Sequence, residues 1–112
     1  MSGKSGIQIN NAFDLVQTLG FDRNKGKELL ELCRRNDIAS LGVFGSFSRG
    51  EQTEESDLDL LVTFSKGKSL IDHIKIEDDL ESLLGKHVDL VTERSLSPYL
   101  APMVKKDLRR II

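Results

Sequence analysis

The sequence predicts one compact α/β domain. Short segments of strand length, apolar or alternating, are interleaved with longer segments whose apolar residues recur at helical spacing. The strongest helical segment also carries its own start and stop signals. Size sets the third bound: 112 residues, 38% hydrophobic and 30% charged, suffice for a single core beneath a hydrophilic surface. With five Phe, one Tyr and no Trp, that core must be mainly Leu, Ile and Val.

The elements follow in order. Residues 1–8 are rich in Ser, Gly and Lys and read as a lead-in. From Asn11 to Leu19, Phe13, Val16 and Leu19 recur at helical spacing, with Asn11 placed as an N-cap and Gly20 as the stop. A second helix is expected from Asp22 or Asn24 to about Asn36, carrying Leu29, Leu30, Leu32 and Cys33. Ile38–Phe44 is a short apolar run closed by Gly45, the signature of a buried strand. Ser46–Ser56 reads as a polar loop. Asp57–Phe64 alternates, with Leu58, Leu60 and Val62 on one face. After the turn Lys66-Gly67-Lys68, Ser69 is expected to cap a helix running to Leu84, with Leu70, Ile74, Leu80 and Leu83 or Leu84 as its core stripe. Gly85 stands where a left-handed terminator belongs. His87–Thr92 is the third strand. Beyond Pro98 and Pro102 an amphipathic helix is expected to carry Val104, Leu108, Ile111 and Ile112. Residues 1–22 thus form a partly helical extension to a domain at 23–112.

Composition excludes several classes. A formal charge of −2 shows no basic excess of the kind that general nucleic-acid binding requires. No apolar run reaches the length of a membrane span, and the first residues lack a signal-like apolar region. The lone Cys33 rules out an internal disulfide, suits a reducing compartment and falls on an apolar helical stripe. A cytoplasmic protein is the expectation. His73 and His87 have no second His or Cys at ligand spacing, so zinc is not indicated.

The chemistry concentrates in Gly45-Ser46-Phe47-Ser48-Arg49-Gly50 and Ser56-Asp57-Leu58-Asp59-Leu60. Asp57 and Asp59 are two apart on an expected strand, so their carboxylates share a face opposite Leu58, Leu60 and Val62. Side by side they raise each other's cost of ionisation, which a divalent cation offsets; magnesium suits carboxylate and phosphate oxygens. Alone, the pair is equally compatible with a solvated acidic face. Gly45-Ser46, ten residues upstream of Asp57, adds a turn where a phosphate can approach, with hydroxyls at Ser46 and Ser48 and a cation at Arg49. Asp89 interrupts the apolar strand His87–Thr92 and is either a third site carboxylate or an edge residue facing water.

Gly45-Ser46 followed after ten residues by Asp57 and Asp59 resembles the DNA polymerase β-like nucleotidyltransferase superfamily. The fuller text, with Leu83-Leu84-Gly85-Lys86-His87-Val88-Asp89-Leu90-Val91-Thr92 and Leu96-Ser97-Pro98-Tyr99-Leu100, is similar to its smallest branch, the minimal or MntA-type nucleotidyltransferases. The resemblance implies a small mixed sheet with flanking helices and the site at one end of the sheet. It implies that Gly45 and Ser46 hold the triphosphate of ATP, with Arg49 beside them, and that Asp57, Asp59 and Asp89 hold magnesium, two ions in the two-metal scheme, with manganese an alternative. It further implies a partner, a HEPN-domain ribonuclease toxin that such an antitoxin neutralises by transferring AMP to a tyrosine. Two other readings stand beside it: transfer to a small hydroxylated molecule, and inhibition of a partner by occlusion without catalysis. Lys105, Lys106, Arg109 and Arg110 read either as a solvated helix face or as a docking surface.

Overall fold

A computed structural model describes residues 23–51 and 53–112. The helix expected over Asn11–Leu19 lies outside them. Helix α1 spans Arg23–Arg35, strand β1 Ile38–Phe44, the one-turn helix α2 Ser46–Arg49 and strand β2 Leu58–Phe64. Helix α3 spans Leu70–Leu84, strand β3 Val88–Thr92, a 3-10 turn Glu93–Ser95, helix α4 Ala101–Asp107 and strand β4 Arg109–Arg110. The sheet order is β3-β2-β1-β4; β2 and β3 run parallel, and the β1 pairings are antiparallel. This is the small mixed sheet with flanking helices. No helix among the described residues is long and apolar enough to cross a membrane.

Register explains the core. Leu41 pairs with Val62, Val43 with Leu60, Leu58 with Val88 and Leu60 with Leu90, so these residues line one face of the sheet. All are buried, and Leu29, Leu32 and Cys33 of α1 and Ile76, Leu80 and Leu84 of α3 pack into the same cluster. Burial pushes the Cys33 thiol up to about 12, leaving it a core residue. Alternation sends Asp59 and Asp89 to the opposite face.

The signals bounding α3 act as the chemistry requires. The Ser69 hydroxyl accepts from the Asp72 N–H at 3.1 Å while the Asp72 carboxylate accepts from the Ser69 N–H at 3.3 Å, a reciprocal capping box. At the other end Gly85 is left-handed (φ 67°) and its N–H donates to Glu81 O at 2.8 Å. Asp37 closes the α1–β1 turn at φ 58°, a conformation its short polar side chain tolerates. Lys68 donates to its carboxylate at 2.9 Å and, with Lys66 nearby, holds it below the usual carboxylate range.

Two expectations are corrected. The core stripe of α3 is Ile76, Leu80 and Leu84, whereas Leu70 and Ile74 are 75% and 48% exposed. This helix carries apolar residues on more than one face, so periodicity alone could not choose the face that meets the sheet. The expected C-terminal helix stops at Asp107. Leu108 is extended (φ −64°, ψ 125°), Arg109 and Arg110 pair with Val43 and Gly42, and Ile111 N–H donates to Leu41 O at 2.8 Å. A strand here satisfies the backbone of the β1 edge, which a helix would leave open, and it still buries Ile111.

Candidate active site

β1 delivers the chain to Gly45, whose φ of 76° and ψ of −151° lie where essentially only glycine goes. A Cβ there would overlap Oδ2 of Asp59. The missing side chain therefore admits a carboxylate of the same chain, beyond the turn-making and phosphate access that the sequence suggested. The segment expected as loop from Ser46 begins as the single turn α2, ended by left-handed Gly50 (φ 71°). Phe47 anchors it: the ring is buried in the core, and Lys86 Nζ lies 5.5 Å from its centroid.

Asp57 immediately precedes β2 and Asp59 is its second residue. In the parallel pairing Asp59 lies opposite Asp89, and in the antiparallel one it lies opposite Phe44, directly before Gly45. The fold thus brings the Gly45 turn, Asp59 and Asp89 to one end of the open sheet face. Among the described residues Asp89 is exposed on an edge strand, as the water-facing reading expected, and it stands opposite Asp59. Asp59 is half-buried, and its carboxyl is pushed up first by burial and then by the charges of Asp89 and Asp57, with Arg49 opposing. The charges of Asp57 and Asp89 thus both bear on Asp59. Among the described residues no three such groups are close enough to enclose a cation by themselves. Their hard oxygen donors and the repulsion at Asp59, which Arg49 offsets only in part, fit a divalent ion completed by phosphate oxygens.

Arg49 has protein partners here: Nη1 donates to Asp107 Oδ2 at 2.6 Å and Nε to Glu51 Oε1 at 2.8 Å. The Ser48 hydroxyl donates to Asp107 O. Leu108 follows, and its side chain fills the space above Gly42, where a Cβ would lie 2.6 Å from Leu108 Cδ1. Gly42 pairs with Leu61, which alternation puts on the Asp59 face. The C-terminal segment therefore borders the site and ties down the α2 turn.

Some participants escaped sequence reasoning. His87 Nδ1 lies 3.4 Å from Asp57 Oδ1, and its Nε2 lies 3.6 Å from Glu81 Oε2. Glu81 and Glu77 of α3 accept hydrogen bonds from β3 backbone. The four-residue spacing of His73, Glu77 and Glu81 was the available signal, but it matches an ordinary solvated helix face.

Residues 27–111 match the family described as nucleotidyltransferase domain. The chain is 45% identical over 78 residues to the protein adenylyltransferase MntA of Thermococcus cleftensis, covering 70% of this chain and 79% of that protein. Among solved structures it resembles a toxin–antitoxin complex with AMP-PNP, at a TM-score of 0.68 and 30% identity, over 82% of this chain and 73% of that one. A second is the MNT antitoxin complex with a tri-AMPylated HEPN toxin of Shewanella oneidensis, at 0.61 and 25% identity, over 80% and 71%. The family match spans the sheet, the Gly45 turn and all three aspartates, and the chain belongs to the nucleotidyltransferase domain family, in its minimal, MntA-type branch.

Proposed function

We propose that this protein is an antitoxin that transfers AMP from ATP to a tyrosine hydroxyl of a HEPN-type toxin. The observation carrying the reading is the convergence of the Gly45 turn with Asp59 and Asp89 at one end of an open sheet face. Asp57, Asp59 and Asp89 would hold magnesium, two ions, or manganese in its place. When bound, the metal neutralises triphosphate charge and lowers the pKa of the acceptor hydroxyl. Gly45 and Ser46 place the triphosphate. Arg49, held by Glu51 and Asp107, fixes the turn and adds positive charge behind it. The acceptor oxygen attacks the α-phosphorus, the bond from that phosphorus to the bridging oxygen breaks, and pyrophosphate leaves. The hydroxyl proton passes to Asp89. Positioning and charge stabilisation suffice for this displacement, without a covalent enzyme intermediate.

An open site on a domain this small admits a protein segment more readily than it encloses a small molecule. In the C-terminal segment, Tyr99, Leu100 and Met103 are exposed, Tyr99 at 90%, and the chain runs on through Lys105 and Lys106 of α4 to Arg109 and Arg110 of β4. Exposed apolar residues on the same segment as four cations fit a docking partner that offers apolar and acidic groups. The MNT relative seen with an AMPylated HEPN toxin supports that partner. We place the reaction in the cytoplasm, where ATP is abundant and Cys33 stays reduced. The test is calorimetry of ATP binding with magnesium and with chelator, followed by mass spectrometry of a HEPN-type partner encoded nearby. Metal-dependent binding and a gain of one or more AMP masses on tyrosine are expected. Equal ATP affinity in chelator refutes the metal assignment, and a partner silenced without modification refutes catalysis in favour of occlusion.

A further inference from the structure

Among the described residues strand β3, which carries Asp89, is an edge strand, with β2 on one side and no strand on the other. Because backbone groups alternate in direction, pairing of Asp89 with β2 leaves those of Val88 and Leu90 pointing outward. Three side chains of α3 meet them. Glu81 Oε2 accepts from the Val88 N–H at 3.0 Å, and Glu77 Oε2 accepts from the Leu90 N–H at 2.8 Å. His73 Nε2 lies 2.8 Å from Leu90 O. His73, Glu77 and Glu81 are spaced by four, so one stripe of the helix stands in for the missing strand.

We infer that Glu77 and Glu81 are positioning residues for Asp89. Their two hydrogen bonds grip the residues on either side of it, and both are charge-assisted, the stronger kind. Glu81 also reaches His87, which touches Asp57, so the same stripe borders a second site carboxylate. Edge protection alone needs only an acceptor for each outward N–H, which a neutral side chain supplies, and does not call for two carboxylates. Rigid placement of β3 gives them a use, because a displacement of about 1 Å at a reacting group costs on the order of a hundredfold in rate. The inference rests on the proposed role of Asp89 in holding metal.

The test titrates manganese(II) into the full chain with a non-hydrolysable ATP analogue, read by electron paramagnetic resonance. Glu77→Ala and Glu77→Asp are expected to weaken manganese binding about tenfold, the scale of lost outer-shell support. Glu77→Gln keeps an acceptor oxygen for the Leu90 N–H and loses only the charge assistance, so it should weaken binding by clearly less, about two- to threefold. A purely structural Glu77 would lower the thermal midpoint without changing manganese affinity well below it; that result overturns the inference. Should Glu77→Ala fail to fold, Glu77→Asp against Glu77→Gln decides. Asp89→Asn is the control. If it weakens manganese binding while Glu77→Ala and Glu77→Asp behave as wild type, the positioning role alone is wrong. If Asp89→Asn itself binds manganese normally, the metal assignment falls and the inference with it.

Discussion

Replacing Gly45 by alanine should damage both the fold and the site, and its two causes are separable. The first is backbone strain. At φ 76° and ψ −151° an L-residue is held in a region that costs on the order of 1–3 kcal/mol. The second is overlap of the new methyl with Asp59 Oδ2, an overpacking defect of about 1–3 kcal/mol unless the carboxylate rotates away. Together they predict a loss of about 2–6 kcal/mol. For a domain of this size the lower end lowers the thermal midpoint by at least roughly 8 °C, taking about 4 °C per kcal/mol. A double-mutant cycle separates the parts, because Asp59→Ala removes the overlapping carboxylate and leaves the strained backbone. Differential scanning fluorimetry and urea unfolding on all four proteins should show Gly45→Ala costing less in the Asp59→Ala background. Additive effects would mean the glycine does not make room for Asp59. A midpoint unchanged in Gly45→Ala would refute the turn geometry altogether.

Asp59→Asn should abolish AMP transfer while raising the metal-free thermal midpoint at neutral pH. The Asp59 carboxyl is pushed up by burial and by Asp89 and Asp57, so in the wild type its contribution is favourable below the unfolded value of about 3.9 and is lost as pH rises through the higher folded value. The advantage of Asp59→Asn should therefore shrink as pH falls through the raised folded value and be gone below about 3.9, and a midpoint gap independent of pH would refute the electrostatic account. Asp37 has the opposite sign. Its carboxyl is lowered, chiefly by the hydrogen bond from Lys68, so it stabilises above the unfolded range and loses that effect as pH falls through the folded value. Asp37→Asn, which keeps the turn's left-handed backbone accessible, should lower the midpoint at pH 7 but not in strong acid. Equal losses at both pH values would assign the role to the backbone instead.

Sequence by itself determined the features that depend on near neighbours. Strand β1 runs from Ile38 to Phe44 as its apolar run and closing glycine imply, and α3 starts and stops at Ser69 and Gly85. Both signals act within one turn of the chain, so local chemistry decides them. The spacing of Gly45, Asp57, Asp59 and Asp89 was legible for a related reason: phosphate-suited turns and paired carboxylates need particular residue types. Tertiary structure decided whatever depended on a distant partner. Leu70 and Ile74 had the right period for a core stripe, yet the sheet meets α3 at Ile76, Leu80 and Leu84. Residues 108–112 had helical periodicity, yet the open edge of β1 draws Arg109 and Arg110 into a strand. That Arg49 is held by Asp107, 58 positions away, was invisible in the sequence. Glu77 and Glu81 resembled any exposed helix face until β3 was laid beside them. Local propensity is a weak preference, whereas unpaired backbone and apolar surface are satisfied only by elements that folding brings together.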